Sequence, residues 1–266
     1  MPMLTRMGRP ALDYAYFDAG FLALAHRGGT SDDAPAEVEN SMRGFLAAWE
    51  YGFRYLETDV HVTSDGVLVA FHDEVLDRVT DASGVLADLP WAEVAQARIG
   101  GTEPIPRLDD LLAGLPDARF NIDLKADGAV EPLVDALDRH AAHDRVCVGS
   151  FSGRRIGRFR RLTSGRVATA ASPVEVAVFA LLPGIRRLWP LRGQAFQIPQ
   201  RHYGLPIASA GLIETAHRRG AVVHVWTIND RPTMERLIDC GVDGLVSDDL
   251  GELRTVLRDR DLWEGP

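Results

Sequence analysis

The sequence predicts an α/β fold of the (β/α)8 class, a TIM barrel with a β-hairpin and a small insertion after the second strand. Short apolar runs of strand length alternate with segments of helical periodicity along most of the chain. Eight such pairs follow one another without a Pro/Gly/Ser linker or a break in composition, which favours a barrel over a doubly wound sheet. The length of 266 residues also suits one barrel domain.

The strand candidates are short runs of residues with high β-propensity. In chain order they are 21–25, 55–60, 120–125, 146–151, 166–170, 195–199, 221–226 and 243–247. The helix candidates between and after them are 40–52, 107–114, 129–141, 153–163, 174–182, 209–219, 231–240 and 249–259. Gly220 and Gly241 stand where two of these helices should end. We therefore predict an N-terminal arm at 1–20 and a single barrel domain at 21–260, with the insertion at about 73–105.

The segment 174–193 combines an apolar stretch with Arg186, Arg187 and Arg192. The favoured interpretation is a barrel helix followed by a Pro/Gly loop. The alternative is a lid, or a patch that makes weak contact with a membrane surface when the substrate is lipid-like.

Charge and composition exclude several classes of protein. A net charge of -9 and a pI near 5.4 argue against a nucleic-acid-binding surface, which needs an excess of Lys and Arg. Cys147 and Cys240 lack metal-ligand spacing and are predicted to be free thiols. The first 20 residues do not have the pattern of a signal peptide, and no apolar run has the length of a transmembrane span, so we predict a cytoplasmic protein.

The segment ETDVHVTSDGVLVAFHD at 57–73 is predicted to form the hairpin. Its Asp-Gly pair is typical of a two-residue turn, which would place Val60 opposite Phe71 in the core and Asp59 opposite His72 in the barrel. Glu57 would lie beside them on the inward face. Two other polar residues of the segment are predicted to lie outside the site, namely His61 toward the turn and Asp73 facing away.

Two further strand ends carry polar side chains. HRGG places His26 and Arg27 at the end of the first strand, and its two glycines allow the backbone to turn close to a ligand. NIDLK places Asp123 and Lys125 on the inward face of the third strand, where an ion pair between the two is the alternative to a role in a site.

Together these strands bring two histidines, three carboxylates and two cations into one barrel. Phosphodiester cleavage requires such groups: a metal ion and cations at the phosphate oxygens, a base for the nucleophile and an acid for the leaving alkoxide. An imidazole can fill both proton-transfer roles near neutral pH.

The chain resembles the glycerophosphodiester phosphodiesterase family, and most closely its cytoplasmic bacterial type. The resemblance extends over about residues 22–250 and depends on an ordered set of motifs: HRGG, ENS at 39–41, the hairpin segment, LDRVT, IPRLDDLL at 105–112, NIDLK and VWTIND at 225–230.

The resemblance implies a (β/α)8 barrel that hydrolyses glycerophosphodiesters to an alcohol and sn-glycerol 3-phosphate with one divalent cation, Mg²⁺ or Ca²⁺. It implies a cyclic phosphate intermediate and assigns each candidate residue a role. His26 and His72 would be the acid and base, Arg27 and Lys125 would hold the phosphate, and Glu57, Asp59 and Asp123 would bind the metal.

The chain departs from the family pattern at Asp123, where the family usually has Glu and the side chain is one methylene longer. Trp226 and Gln197 are added as candidates for substrate contact, although a structural role is as plausible for Trp226. Asn40 is predicted to cap the first helix. His224 is predicted to be structural or surface.

Three functions remain open from the sequence. The first is hydrolysis of glycerophosphodiesters in glycerophospholipid degradation, and the second is a phospholipase-type cleavage of lysophospholipid or intact lipid. The third is a non-catalytic barrel that binds glycerophosphodiesters, against which the retention of both histidines and all three carboxylates argues. The head group, the cation and the oligomeric state stay open.

Overall fold

The computed structural model describes residues 8–31, 34–182, 184–186, 188–202 and 204–265. The strands are β1 Leu22–Thr30, β2 Tyr55–Val62, β3 Leu68–Ala70, β4 Arg98–Ile99, β5 Glu103–Pro104, β6 Arg119–Leu124, β7 Val146–Gly149, β8 Ala168–Thr169, β9 Ala195–Pro199, β10 Arg201–His202, β11 Leu205–Pro206, β12 Val222–Trp226 and β13 Gly244–Asp249. The α-helices are α1 Met42–Glu50, α2 Trp91–Val94, α3 Leu108–Gly114, α4 Val130–Arg139, α5 Gly153–Leu162, α6 Pro173–Leu181, α7 Ala210–Arg218, α8 Arg231–Asp239 and α9 Leu250–Asp259.

Eight of the strands form a parallel sheet in the order β8-β7-β6-β2-β1-β13-β12-β9. The sheet closes between β8 and β9 through a parallel bridge from Ala170 to Ala195, beside which the Gln194 N–H donates to the Thr169 carbonyl at 2.8 Å. Each of the eight predicted strands corresponds to one of these strands, with shifts of a few residues at the ends. The (β/α)8 barrel is confirmed.

The N-terminal residues close one end of the barrel. Two 3-10 turns, Ala11–Asp13 and Ala15–Phe17, place Tyr16 and Phe17 against the interior residues Leu22 and Tyr55, near the start of the strands. The opposite end, where the strands finish, is therefore the end available for a site.

The hairpin formed by β2 and β3 has a different turn from the predicted one. The Gly66 N–H donates to the Thr63 carbonyl at 3.0 Å, and Gly66 has a φ of +88°, so Ser64, Asp65 and Gly66 form a three-residue loop. Such a loop is a tight turn followed by one left-handed residue, a position that favours glycine. The extra residue shifts the register, so that Val60 pairs with Ala70.

The predicted pairings of Val60 with Phe71 and of Asp59 with His72 are therefore wrong. Val69 and Phe71 face outward into a second apolar cluster, which they form with Leu76, Leu86 and other residues of the insertion. The insertion thus has a core of its own, packed on the outer face of β3. His72 lies beyond the end of β3, where the chain has left the paired part of the hairpin.

Candidate active site

The candidate site is a cavity of about 470 Å³ at the end of the barrel where the strands finish. All nine of the sequence-predicted site residues line it: His26, Arg27, Glu57, Asp59, His72, Asp123, Lys125, Gln197 and Trp226. They come from β1, β2, β6, β9 and β12 and from the segments that follow β3 and β6. The barrel therefore brings together residues that are as far apart as 200 positions in the chain.

The end of β1 presents His26 and Arg27 through a left-handed turn. Arg27 has a φ of +52°, and Gly28 and Gly29 have φ values of +91° and +67°. A Cβ on Gly29 would lie 2.4 Å from the Leu250 side chain, so the backbone passes too close to α9 for any larger residue. This turn lets the Arg27 N–H donate to Glu57 Oε2 at 3.1 Å.

Each of the two histidines has a carboxylate partner at Nδ1. His26 Nδ1 lies 2.6 Å from Asp248 Oδ1, and His72 Nδ1 lies 2.5 Å from Asp73 Oδ1. A carboxylate at Nδ1 holds the ring in one orientation and leaves Nε2 for proton exchange. Although burial disfavours the imidazolium, the charge of Glu57 and the hydrogen bond to Asp248 raise the pKa of His26.

Both carboxylate partners are themselves held in place. Asn229 Nδ2 donates to Asp248 Oδ2 at 2.8 Å. Asp73 is paired with Arg78, whose guanidinium also contacts Glu39 at 2.5 Å. The motifs ENS, LDRVT and VWTIND therefore supply Glu39, Arg78 and Asn229, which hold the carboxylate partners of the two histidines in place.

The carboxylates of β2 and β6 form a buried acidic group. Burial, together with the charge of Asp59, raises the pKa of Glu57 to about 7. Burial disfavours the charged form of Asp59 as well, but Lys125 and Arg27 lower its pKa. Burial raises the pKa of Asp123 in spite of Lys125, and Asp123 Oδ1 is buried without a hydrogen-bond partner.

Lys125 compensates part of this negative charge. Its Nζ lies 2.9 Å from Asp59 Oδ1 and 2.7 Å from Asp123 Oδ2, and Arg27 Nε lies 3.2 Å from Asp59 Oδ2. Among the residues that the structure describes, no group of three His, Cys, Asp or Glu side chains is already arranged to hold a metal ion. The donor set nevertheless fits a hard divalent cation, because three carboxylates line one cavity and Asp123 Oδ1 lacks a partner.

Gln197 and Trp226 also lie where a substrate could touch them. Gln197 Nε2 donates to Asn121 Oδ1 at 2.5 Å, which joins β9 to β6 across the barrel. Trp226 is half-buried and packs edge-to-face against Phe151, with ring centroids 5.9 Å apart.

Comparisons with known proteins agree with this geometry. Residues 26–252 match the model of the glycerophosphoryl diester phosphodiesterase family. The chain belongs to this family. It is 40% identical to the probable glycerophosphodiester phosphodiesterase 2 of Mycobacterium tuberculosis, over 97% of this chain and 98% of that protein.

A second curated relative is a lysophospholipase D of Rattus norvegicus, 23% identical over 90% of this chain and 87% of that protein. Among solved structures, a phosphodiesterase from Oleispira antarctica in complex with the product sn-glycerol-3-phosphate has a TM-score of 0.77. It is 24% identical and covers 92% of this chain and 99% of its own. With the family shown, this chain is an enzyme of glycerophosphodiester hydrolysis.

Several functional contacts of this phosphodiesterase were missed by the sequence reasoning. Asn40 does not cap α1, since Ser41 Oγ accepts from the Gly44 N–H and serves as the cap. Asn40 instead has a φ of +57° and donates through Nδ2 to Asp59 Oδ2 at 3.3 Å. Its role is to position Asp59.

Asp73 differs from its predicted position, because it does not face away from the site but contacts His72 directly. His61 lies near the turn and does not line the cavity, as the sequence predicts. It is nevertheless buried, and its Nε2 lies 3.1 Å from the His72 carbonyl oxygen. Asp248 was not singled out at all, although a carboxylate at the end of the last barrel strand could have been identified as a candidate from its position.

Proposed function

We propose that this phosphodiesterase cleaves glycerophosphodiesters with His26 and His72 as its acid–base pair and with one divalent cation held by Glu57, Asp59 and Asp123. The observation that carries the proposal is the pair of imidazoles lining one cavity, each with a carboxylate at Nδ1. Two groups of this kind are what a phosphodiester needs when one proton is removed and another is donated.

In the proposed reaction, one imidazole removes the proton from the glycerol hydroxyl next to the phosphate. That oxygen attacks phosphorus, the bond to the alcohol breaks, and the second imidazole protonates the leaving oxygen. Water then opens the cyclic phosphate with the two roles reversed, and sn-glycerol 3-phosphate is released. An internal nucleophile of this kind has a high effective molarity.

Arg27 and Lys125 are proposed to bind the phosphate. Both line the cavity beside the carboxylates, and their charges oppose the negative charge that develops on the phosphate oxygens. A cation bound by the three carboxylates would supply Lewis-acid stabilisation of the same oxygens. Its binding would compete with Lys125 for Asp59 and Asp123 and would free the ammonium group for the phosphate.

The first test is substitution of the two histidines. We expect His26→Ala and His72→Ala each to lower kcat for glycerophosphocholine by at least about 10²-fold, the usual contribution of a general acid or base. The matched control is His140→Ala, since His140 is paired with Asp109 on the surface, away from the cavity. Near-normal turnover by either cavity variant would contradict the assignment.

The second test is removal of the metal. We expect EDTA to abolish turnover and Mg²⁺ or Ca²⁺ to restore it, because the three carboxylates lose the cation that they would hold. Circular dichroism should show that the barrel stays folded, since its apolar core is independent of the site. Full activity in EDTA would remove the proposed role of Glu57, Asp59 and Asp123.

Lipid-bearing glycerophosphodiesters are a second candidate class of substrate, favoured by the apolar lining of one side of the cavity. No helix among the described residues has the length and hydropathy of a membrane span. Contact with a membrane surface through 174–193 and a cytoplasmic location stay predictions.

A further inference from the structure

The helix α6 lies along the cavity over its whole length. Five of its residues line the cavity: Pro173, Val176, Ala177, Ala180 and Leu181. They follow the spacing i, i+3, i+4, i+7 and i+8, which is one continuous face of a helix. Because all five are apolar, α6 contributes an uncharged wall to the site.

This wall is held firmly against the barrel. On the other side of α6, the buried Glu175 accepts hydrogen bonds from the backbone N–H groups of Arg192 at 2.5 Å and Gly193 at 3.2 Å. Glu175 Oε2 also lies 3.3 Å from Arg160 Nη1, and Phe179 packs on Phe196 with ring centroids 4.9 Å apart. The position of the wall is therefore part of the fold.

Apolar residues from other elements also line the cavity. Ile198, Pro199 and Ile207 line it, together with Trp226. Small side chains on α6, Ala177 and Ala180, leave room beside them. The volume of about 470 Å³ lies in the range of sites that enclose a drug-sized ligand.

Apolar side chains at the end of α6 and just after it are exposed. Leu181, Leu182 and Ile185 are 58%, 45% and 50% exposed, and Leu188 is 89% exposed. Exposed apolar residues close to a cavity are typical of a binding site for an apolar group. A small polar head group would find no charged partner on the face of α6 that lines the cavity.

We propose that the α6 side of the cavity is a subsite for a single long apolar chain carried by the glycerophosphodiester. The chain would lie along Val176, Ala180 and Leu181 while the phosphate is held at Arg27 and Lys125. The inference rests on the proposed function, because it places the phosphodiester at the charged side of the same cavity. The chain could be an acyl group on the glycerol or an alkyl group on the leaving alcohol, since both present the same chemistry to α6.

The test is a comparison of substrates that differ only in the chain, all used below their critical micelle concentrations. The substrates are glycerophosphocholine, lysophosphatidylcholines with six- and eight-carbon acyl chains, and the butyl and octyl esters of glycerol 3-phosphate. We expect kcat/KM to rise about fourfold for each methylene group that is buried, in one of the two series or in both. The series that shows the rise identifies where the chain is attached.

Two variants of the same helix separate the subsite from the rest of the enzyme. Leu181→Glu places a charge on the cavity wall and is expected to reduce the chain-length gain at least tenfold. Val174→Glu is the matched control, because Val174 is 56% exposed on the same helix but does not line the cavity. It should keep the full gain. If Leu181→Glu does not fold, Ala177→Glu at another exposed position of the wall replaces it.

Two results would overturn the proposal. One is a kcat/KM that does not depend on chain length. The other is a gain that appears only above the critical micelle concentration and is lost in Val174→Glu, which would indicate adsorption of the outer surface to lipid.

Binding of alkylphosphocholines, measured by calorimetry, tests the subsite without turnover. Affinity that rises with chain length in an enzyme without activity would support the subsite and reject the proposed function. If the enzyme turns over glycerophosphocholine but chain length affects neither binding nor kinetics, the proposed function is supported and the subsite is rejected.

Discussion

Asp248 and Asp73 illustrate at the residue scale how two similar histidines are positioned by different means. Asp73 is the next residue in the chain after His72, whereas Asp248 reaches His26 from a strand 222 positions away. Both contacts occupy Nδ1, so both imidazoles present Nε2 to the cavity. The chemistry proposed for the pair depends on this shared orientation.

We expect Asp248→Asn to lower kcat by roughly 10²-fold with little change in KM, because an amide at this place does not hold the His26 tautomer as a carboxylate does. Steady-state kinetics with glycerophosphocholine would show the split between the two constants. The matched control is Asp109→Asn, which removes the carboxylate partner of His140 on the surface and should leave kcat unchanged. An equal fall in both variants would mean that the loss reflects general destabilisation.

At the element scale, the end of β1 shows how backbone geometry serves the site. Three successive residues, from Arg27 to Gly29, have positive φ values, and the turn places the Arg27 N–H on Glu57. Leu250 of α9 packs directly against this turn. The two glycines of the HRGG motif are therefore needed for two reasons: the backbone has positive φ values there, and Leu250 leaves no space for a side chain at Gly29.

We expect Gly29→Ala to lower the free energy of unfolding by more than the roughly 1–2 kcal/mol that a left-handed conformation costs, because its Cβ also meets Leu250. Gly101→Ala is the control for strain alone, since Gly101 has a φ of +74° and open space around it. Urea denaturation of the two variants would measure the difference. Equal losses would show that α9 moves away without cost.

Also at the element scale, the hairpin shows that an Asp-Gly pair predicts a turn but not the length of its loop. An Asp-Gly pair is compatible with a two-residue turn and with a three-residue loop that ends in a left-handed glycine. The side chain of Thr63 favours the second, because its Oγ1 accepts from the Val67 N–H at 2.9 Å and contacts Asp65. This local contact decides the register, and the insertion then covers the outward-facing Val69 and Phe71.

At the scale of the whole molecule, His224 is a titratable group of the barrel interior that the proposed chemistry does not use. His224 of β12 is fully buried near Phe17, and neither ring nitrogen has a hydrogen-bond partner. Burial lowers its pKa to about 3. The unfolded chain therefore binds a proton at a pH where the folded chain does not.

We expect His224 to destabilise the fold as the pH falls from about 6.5 toward 3, by up to about 1.4 kcal/mol for each pH unit. The sign follows because the pKa is depressed in the folded state, so acid favours the unfolded chain. In His224→Leu the loss of stability between pH 7 and pH 5 should be smaller, as measured by urea denaturation. Phe17→Leu, a change in the same cluster without a titratable group, should keep the slope of the unmodified chain.

Much of the architecture was predictable because it depends on patterns that are local in the chain. Alternating strand and helix segments predict a (β/α)8 barrel, and polar residues at the ends of strands predict the side chains that line the cavity. The roles proposed for His26, His72 and the three carboxylates came from the resemblance to a family. The strand and helix pattern and the polar strand ends can be identified from the neighbours of a residue in the sequence, whereas the roles depend on the ordered set of motifs.

Patterns in the sequence were sufficient to predict the type of barrel, the order of its strands along the chain and nine of the residues that line the cavity. The groups that support those residues became clear only from the folded chain, because such contacts depend on distances between segments that are remote in sequence. Examples are the contact of Asp248 with His26, the hydrogen bond from Asn40 to Asp59 and the path of α6 along the cavity. Closure of the barrel sets these distances, and no local pattern encodes them.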